Sequence, residues 1–426
     1  MSSGARAGAG QPPWRISALA DAIRAVAALD APADARLRQF FRSHPKMGVQ
    51  DRAFVAEGVF AYLRRRRSLE AVADTRDPRR LALATLVREQ GRSVRELDTA
   101  ITDDEREWLA AFKGRTATPL PDAVDADLPD WLWEALGASM GEEKRAAFAR
   151  SAREAAPLDL RANAIKTTRD EALAALRADG IAATATAYSP WGIRATGRPM
   201  LAKHPWFVDG RIEVQDEGSQ LVAFLVAPRR GEMVVDFCAG AGGKTLALGA
   251  LMRSLGRLYA FDTVDKRLAN LKPRLARSGL SNVHPQVIAH ERDPKVKRLA
   301  GKVDRVLVDA PCTGTGTLRR NPDLKWRQQP VDVAELTAKQ SAILASAATL
   351  VKPGGRVVYA TCSVLPDENE NVVERFLAEH PDFALGDAQA ELARAGIALP
   401  TGPTLKLSTP EHGCDAFYAA ILERKR

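Results

Sequence analysis

Two cysteines stand at the ends of expected strands, each inside a compact motif. Cys312 lies in Asp309-Ala310-Pro311-Cys312-Thr313-Gly314-Thr315-Gly316, and Cys362 in Tyr359-Ala360-Thr361-Cys362-Ser363. A thiolate that adds to an electron-poor ring carbon turns the neighbouring carbon into an enamine-like nucleophile. C5 of a pyrimidine needs that help before it can attack a methyl sulfonium. The C5 proton must then leave and the thiolate be expelled, which a second acid/base group assists. A carboxyl such as that of Asp309 can stabilise the charge that develops on the ring. A single strand-end cysteine is more often a small buried hydrophobe. The pair together with Asp309 is what suggests chemistry.

A second motif, Asp236-Phe237-Cys238-Ala239-Gly240-Ala241-Gly242-Gly243-Lys244-Thr245, follows a strand and opens a helix. Glycines let the backbone approach a ligand, and a helix N-terminus offers free amides. Two readings compete. Gly243-Lys244-Thr245 matches the end of a P-loop, with Asp309 as its magnesium-binding acid, but Cys238 occupies the position of the first P-loop glycine. The alternative is an S-adenosyl-methionine site on a Rossmann-like sheet. Asp262, 22 residues after Gly240, ends the next strand, where an acid can bind ribose hydroxyls. As a lone residue Asp262 could equally be a helix N-terminal acid.

These groups need a scaffold that brings strand ends together. From Met233 the chain alternates strand and helix: strands over 234–237, 258–261, 283–288, 303–308 and 355–359, helices over 245–252, 266–277 and 331–350. Such alternation implies a mostly parallel sheet with helices on both faces, whose C-terminal strand ends line one cleft. Upstream, 158–166 and 181–188 read as strands around a helix over 169–178, a small α+β insert. Residues 14–112 show only helical spacing, with Arg64–Arg67 ending one helix as a solvated face or an RNA contact. The expected organisation is therefore a flexible 1–13, an all-helical domain 14–112, a linker with connecting helices 113–156, an α+β subdomain 157–230 and an α/β domain 231–426.

Composition bounds the partners. The 426 residues carry 62 Lys+Arg against 53 Asp+Glu, a formal charge of +9. Arg supplies 46 of the basic residues and suits phosphate contacts, so nucleic acid and plain solubility weigh about equally. Residues 1–100 carry a net +7, 101–150 a net −5, and the remainder +7, two basic blocks around an acidic joint. Four cysteines (Cys238, Cys312, Cys362, Cys414) without C-x-x-C spacing argue against a zinc site or a disulfide scaffold. No metal is expected. Without an apolar leader or an ~18-residue apolar run, a cytoplasmic protein with no membrane partner is the expectation.

With these motifs in hand, the chain resembles the RNA cytosine-5 methyltransferases, a family that includes bacterial small-subunit rRNA enzymes and eukaryotic nucleolar and tRNA enzymes. Asp309–Cys312, Leu318-Arg319-Arg320-Asn321-Pro322-Asp323 and Ala360–Ser363 carry the likeness, which spans about 158–426. The resemblance implies that Cys362 is the nucleophile and that Cys312 assists product release. It implies that Asp309 contacts the cytosine beside the donor. Cys238, Ala239, Gly240, Ala241, Gly242, Gly243 and Lys244, with Asp262, would hold S-adenosyl-methionine. The family loop Ala-Pro-Gly-Gly-Lys reads Gly240-Ala241-Gly242-Gly243-Lys244 here, and the acid after the third strand is Glu291, with Asp293 as the alternative. Arg161, Asn163 and Lys166 resemble the RNA-contacting segment, joined by Arg319 and Arg320. Residues 413–418 resemble the closing strand, which would make Cys414 structural. Residues 51–67 resemble an antitermination-factor B-like RNA-binding domain, which favours 16S rRNA over tRNA; a monomer is the expectation, though the sequence does not fix the oligomeric state. Readings from other classes are a P-loop-like ATPase and a non-catalytic RNA-binding assembly factor; the intact thiol pair speaks against the latter.

Overall fold

The computed structural model describes residues 12–115, 119–197 and 199–426. Of the expected flexible segment 1–13, residues 1–11 lie outside the described residues, as do 116–118 of the linker. Contacts divide the chain into two units: Met1–Ala155 with Leu318–Gln328, and Ala156–Thr317 with Gln329–Arg426.

The first unit is helical. Pro13–Ala27, Ala33–Ser43, Val49–Ala73, Pro78–Ala84 and Asp103–Arg115 pack around Leu19, Ile23, Val59, Leu63 and Leu86. Pro13 opens the first helix because its fixed φ and missing N–H suit the first turn. Val49–Ala73 is two helical stretches joined at a kink at Arg65 (φ −118°, ψ 17°), so one stretch ends within the Arg64–Arg67 run, as expected. Of the four arginines one is buried and three are part-exposed and ion-paired. Arg64 is buried, while Arg65 pairs with Glu89, Arg66 with Glu70 and Arg67 with Asp130. The two connecting helices expected around 130–155 are present as stretches on either side of a break at Gly141 (φ 78°), within Asp130–Ala152.

The second unit holds two sheets. In the small antiparallel one the strand order is Ala183–Ala185, Gly192–Ala195, Leu158–Ala162, Ile212–Val214, with Arg169–Ala178 packed on it through Leu173 and Leu176. The large one has eight strands among the described residues. Its order is Phe383–Leu385, Phe417–Arg424, Val351–Thr361, Val303–Asp309, Met233–Asp236, Arg257–Asp262, Val283–Val287, with Leu405–Leu407 pairing to the second of these. The five strands from Val351–Thr361 onward run parallel, and Phe417–Arg424 is antiparallel to its neighbours. Val306, Leu307 and Val308 are fully buried in succession, as expected of a strand covered by helices on both faces. The Rossmann-like α/β architecture is thus present. The α/β block is interrupted, however, because Leu318–Gln328 packs with the helical unit.

Candidate active site

The parallel register sets Asp236 beside Leu307 and Asp309 beside Ala360, so the C-terminal ends of three neighbouring strands fall close together on one edge of the sheet. The loops after them close on a cavity of about 540 Å³, within the range of small-molecule sites.

The donor-type side of the cavity is formed by Cys238, Ala239, Gly240, Ala241, Gly243 and Lys244. Gly242 is the exception in that run. It has φ 81°, and a Cβ there would lie 2.1 Å from a Leu271 methyl, so it serves the packing of the turn. Gly240 also has positive φ (55°) but open space where a Cβ would stand. Asp262 lines the cavity; its Oδ2 accepts from Gly240 N–H at 2.9 Å and its Oδ1 from Val264 N–H at 2.8 Å. It therefore fixes the glycine-rich turn to the next strand. Glu291 lines the cavity, whereas Asp293 accepts from Ala289 N–H and Lys295 N–H and caps the following helix. These amide bonds hold the Asp293 carboxyl below the usual range. The structure thus favours Glu291 of the two acids.

The P-loop reading does not fit. The Thr245 hydroxyl is fully buried and donates to Asp236 Oδ2 at 2.6 Å, so it cannot reach a metal ion. Lys244 instead donates to Asp309 Oδ2 at 2.8 Å. Burial opposes the Lys244 charge, but the Asp309 carboxylate outweighs it and raises the ammonium's pKa.

The two thiols meet. Cys312 Sγ and Cys362 Sγ lie 3.3 Å apart, both part-buried and both on the cavity. That is well beyond the ~2.05 Å of a disulfide, so this is a dithiol. The Cys312 thiol is pushed far up, first by its hydrogen bond to Cys362 and then by burial. Gly316 N–H donates to the Cys362 carbonyl at 2.8 Å; a Cβ at Gly316 would strike the Ala416 and Cys362 carbonyls, so only glycine lets the two loops touch. Cys414 is buried in the hydrophobic core, and Cys238 is part-buried at the cavity wall.

The expected RNA contacts fare differently. Arg161 is 1% exposed and donates to Gln215 Oε1 at 2.6 Å, and burial lowers its pKa to about 10. Asn163 is buried, donating to the Gly210 and Ser278 carbonyls. Both side chains are almost wholly buried and hydrogen-bonded within the fold, so in this structure they brace the small sheet and offer next to no surface to a phosphate. Lys166 is exposed, though its ammonium donates to the Asp209 and Arg277 carbonyls. Arg319 is buried in the helical unit and Arg320 part-buried. Sequence reasoning missed Ser219, Arg267 and Lys339 on the cavity, and Glu368 and Asn369 behind the thiols. The Pro-Asp-Glu-Asn run that ends six residues after Ser363 was the available signal for the last two, in the same loop as a thiol.

Residues 223–423 match the family model described as 16S rRNA methyltransferase RsmB/F, and residues 128–199 match the ferredoxin-like domain of RsmF/B-like methyltransferases. The "Probable ribosomal RNA small subunit methyltransferase B" of Synechocystis sp. is 37% identical over 300 residues, 70% of this chain and 66% of that protein. The small subunit methyltransferase B of Sodalis glossinidius is 34% identical over 319 residues, 74% of this chain and 71% of its own. The crystal structure of NSun6 from Pyrococcus horikoshii with SFG shares the fold at TM-score 0.62 and 18% identity, covering 70% of this chain and 98% of that one.

Proposed function

The chain belongs to the RsmB/F family of 16S rRNA methyltransferases, and from that membership we propose that it methylates C5 of a cytosine in 16S rRNA through a covalent bond to Cys362. The observation that carries the reading is two thiols 3.3 Å apart on a cavity shared with Asp309, Lys244 and a glycine-rich turn.

The cavity suits S-adenosyl-methionine. Gly240 leaves room for a ligand against the backbone, and Asp262 and Glu291 offer carboxylates to hydroxyl and amino groups. The fold is shared with a protein solved with SFG, an adenosyl-methionine analogue. When bound, the donor supplies an electrophilic methyl group. Cys238, Ala239, Gly240, Ala241, Gly243 and Lys244, with Asp262 and Glu291, would hold and orient it.

Cys362 Sγ adds to C6 of the cytosine, and the displaced electron pair makes C5 nucleophilic. Asp309 can accept from the exocyclic N4 amino group, a contact that uracil does not offer. Lys244 keeps Asp309 in place and lends positive charge to the site. After methylation Cys312, having given up its own proton to solvent, takes the C5 proton as a thiolate; the electron pair of the broken C5–H bond re-forms the C5–C6 double bond, and Cys362 leaves as thiolate. The surroundings that hold the Cys312 thiol protonated at rest make its thiolate a strong base. The target must be unstacked for a sulfur to reach C6, so a loop or bulge is the expected substrate. Lys166 and Arg320 remain the RNA contacts of this proposal, with the helical unit as an RNA-binding domain.

Bisulfite mapping of rRNA and tRNA from a deletion strain tests the substrate. Loss of one 16S 5-methylcytosine is expected. Loss in tRNA instead reassigns the substrate, and no loss removes the reading. With purified protein, Cys362→Ala abolishes methylation and Cys312→Ala accumulates a denaturation-stable protein–RNA adduct. An adduct with Cys362→Ala would reverse the two roles.

A further inference from the structure

The two thiols come from loops 50 residues apart in the chain. Behind both of them lies one short turn. Pro366–Glu368 forms a single 3-10 turn, followed by Asn369. Glu368 is fully buried and Asn369 is 4% exposed.

Glu368 grips the loop of Cys312. Its Oε1 accepts from Thr313 N–H at 2.8 Å, and its Oε2 accepts from the Thr313 hydroxyl. Gln340 Nε2 donates both to Glu368 Oε1 at 3.0 Å and to the Pro311 carbonyl at 2.9 Å. The residues on either side of Cys312 are thereby tied to one carboxylate. Asn369 grips the loop of Cys362 in the same way. Its Oδ1 accepts from the Thr361 hydroxyl, and its Nδ2 donates to the Ser363 carbonyl at 3.0 Å. A carbonyl can only accept, so the amide orientation is fixed by that partner. The residues on either side of Cys362 are tied to one amide. The loops are joined further by Thr315 and Ser363, whose hydroxyls lie 3.1 Å apart.

We propose that Glu368 and Asn369 form a registration clamp for the two thiols, Glu368 holding Cys312 for product release and Asn369 holding Cys362 for attack. The inference rests on the thiol roles proposed above. Adjacent residues of one turn move together, so the sulfur–sulfur spacing does not depend on two loops holding their places separately. A misplacement of about 1 Å at a reacting group costs on the order of 10²-fold in rate. The carboxylate suits its task because three donors converge on it and a carboxylate is acceptor-only. Both are positioning residues, since neither lines the cavity.

The test separates the two halves of the reaction. Glu368→Ala, Glu368→Gln, Thr313→Val and Asn369→Ser are compared with Cys312→Ala, on 16S rRNA transcript with adenosyl-methionine. First-turnover methyl transfer, steady-state turnover and denaturation-stable adduct are measured. In Glu368→Ala and Thr313→Val, steady-state turnover falls at least tenfold more than the first turnover, and adduct accumulates. Glu368→Gln keeps an acceptor for Thr313 N–H and recovers part of the loss. Asn369→Ser loses first-turnover transfer at least tenfold and forms no adduct. Donor affinity by calorimetry reports folding; if Glu368→Ala fails to bind donor, Thr313→Val and Glu368→Gln decide. Equal losses in first and steady turnover without adduct, or no loss, overturn the clamp while Cys312→Ala still traps RNA. If Cys312→Ala itself traps nothing, the thiol assignment beneath the clamp is what fails.

Discussion

Asp236 ends its strand directly beneath the glycine-rich turn, buried, with Oδ2 accepting from the Thr245 hydroxyl. Burial pushes its carboxyl up to about 7; the Thr245 bond resists that rise and the charge of Asp309 adds to it. The folded protein therefore binds this proton more tightly than the unfolded chain, where the pKa is near 3.9. The stability this proton contributes is present below about pH 4, and it is lost as pH rises through 7. Its full contribution is at most about 4 kcal/mol. Asp236→Asn keeps an acceptor for Thr245 and cannot ionise. Denaturant unfolding should show the wild type losing stability relative to Asp236→Asn between pH 5 and 8. Parallel pH profiles would place the proton elsewhere. At this scale the sequence was informative where chemistry is local: Asp309, Cys312, Cys362 and Lys244 stand in short motifs. For Glu368 and Asn369 it offered only the Pro-Asp-Glu-Asn run beside a thiol, because their contacts exist only once two distant loops lie over one turn.

The glycine-rich turn asks for two different things of two glycines. Gly242 needs positive φ and also the absence of a Cβ, because Leu271 fills the space. Gly242→Ala should cost roughly 1–2 kcal/mol for the left-handed backbone and about 1–3 kcal/mol for overpacking, visible as a lower melting temperature. Gly240→Ala meets no protein atom. It carries the left-handed backbone cost of roughly 1–2 kcal/mol but no overpacking, so it should lower the melting temperature less than Gly242→Ala and weaken donor binding at least tenfold by calorimetry, since the added methyl enters the cavity. If the two variants exchange these effects, the turn does not hold a donor as proposed. Elements of this kind were readable because strand, turn and helix alternate with clear apolar periods. The 181–188 strand shrinks to Ala183–Ala185, and 158–166 to Leu158–Ala162, because pairing partners end there. The arginine run was legible in part: its charge marked the helix end at Arg65, whereas the ion pairs with Glu89, Glu70 and Asp130 exist only in the fold.

The division of the chain into units was the least legible feature, since linear reading assumes that a domain is continuous. Leu318–Gln328 leaves the α/β unit six residues after Cys312 and packs within the helical one. There Trp326 Nε1 donates to the Leu63 carbonyl at 2.7 Å, and its ring packs on the helical core. Lys325 Nζ donates to the Arg64 carbonyl at 2.9 Å. Burial brings the Lys325 pKa down to about 7 against the pull of Asp127, a cost the segment bears for its place. Ala33 N–H adds a bond to Asp323 Oδ2 at 3.1 Å. The kink at Arg65 falls beside these carbonyls, at the point where Val49–Ala73 receives the segment. The helical unit is thus incomplete without a segment, Leu318–Gln328, that lies far downstream in the sequence. Trp326→Ala removes a part-buried ring and its hydrogen bond to the Leu63 carbonyl, about 2–4 kcal/mol. The loss should fall on the unit that holds the ring. Amide exchange should accelerate across Val49–Ala73 while Met233–Asp236 and Val303–Asp309 keep their protection. Uniform acceleration in both units would mean that the segment stabilises the chain as a whole, and unchanged exchange in Val49–Ala73 would mean that the helices stand without it.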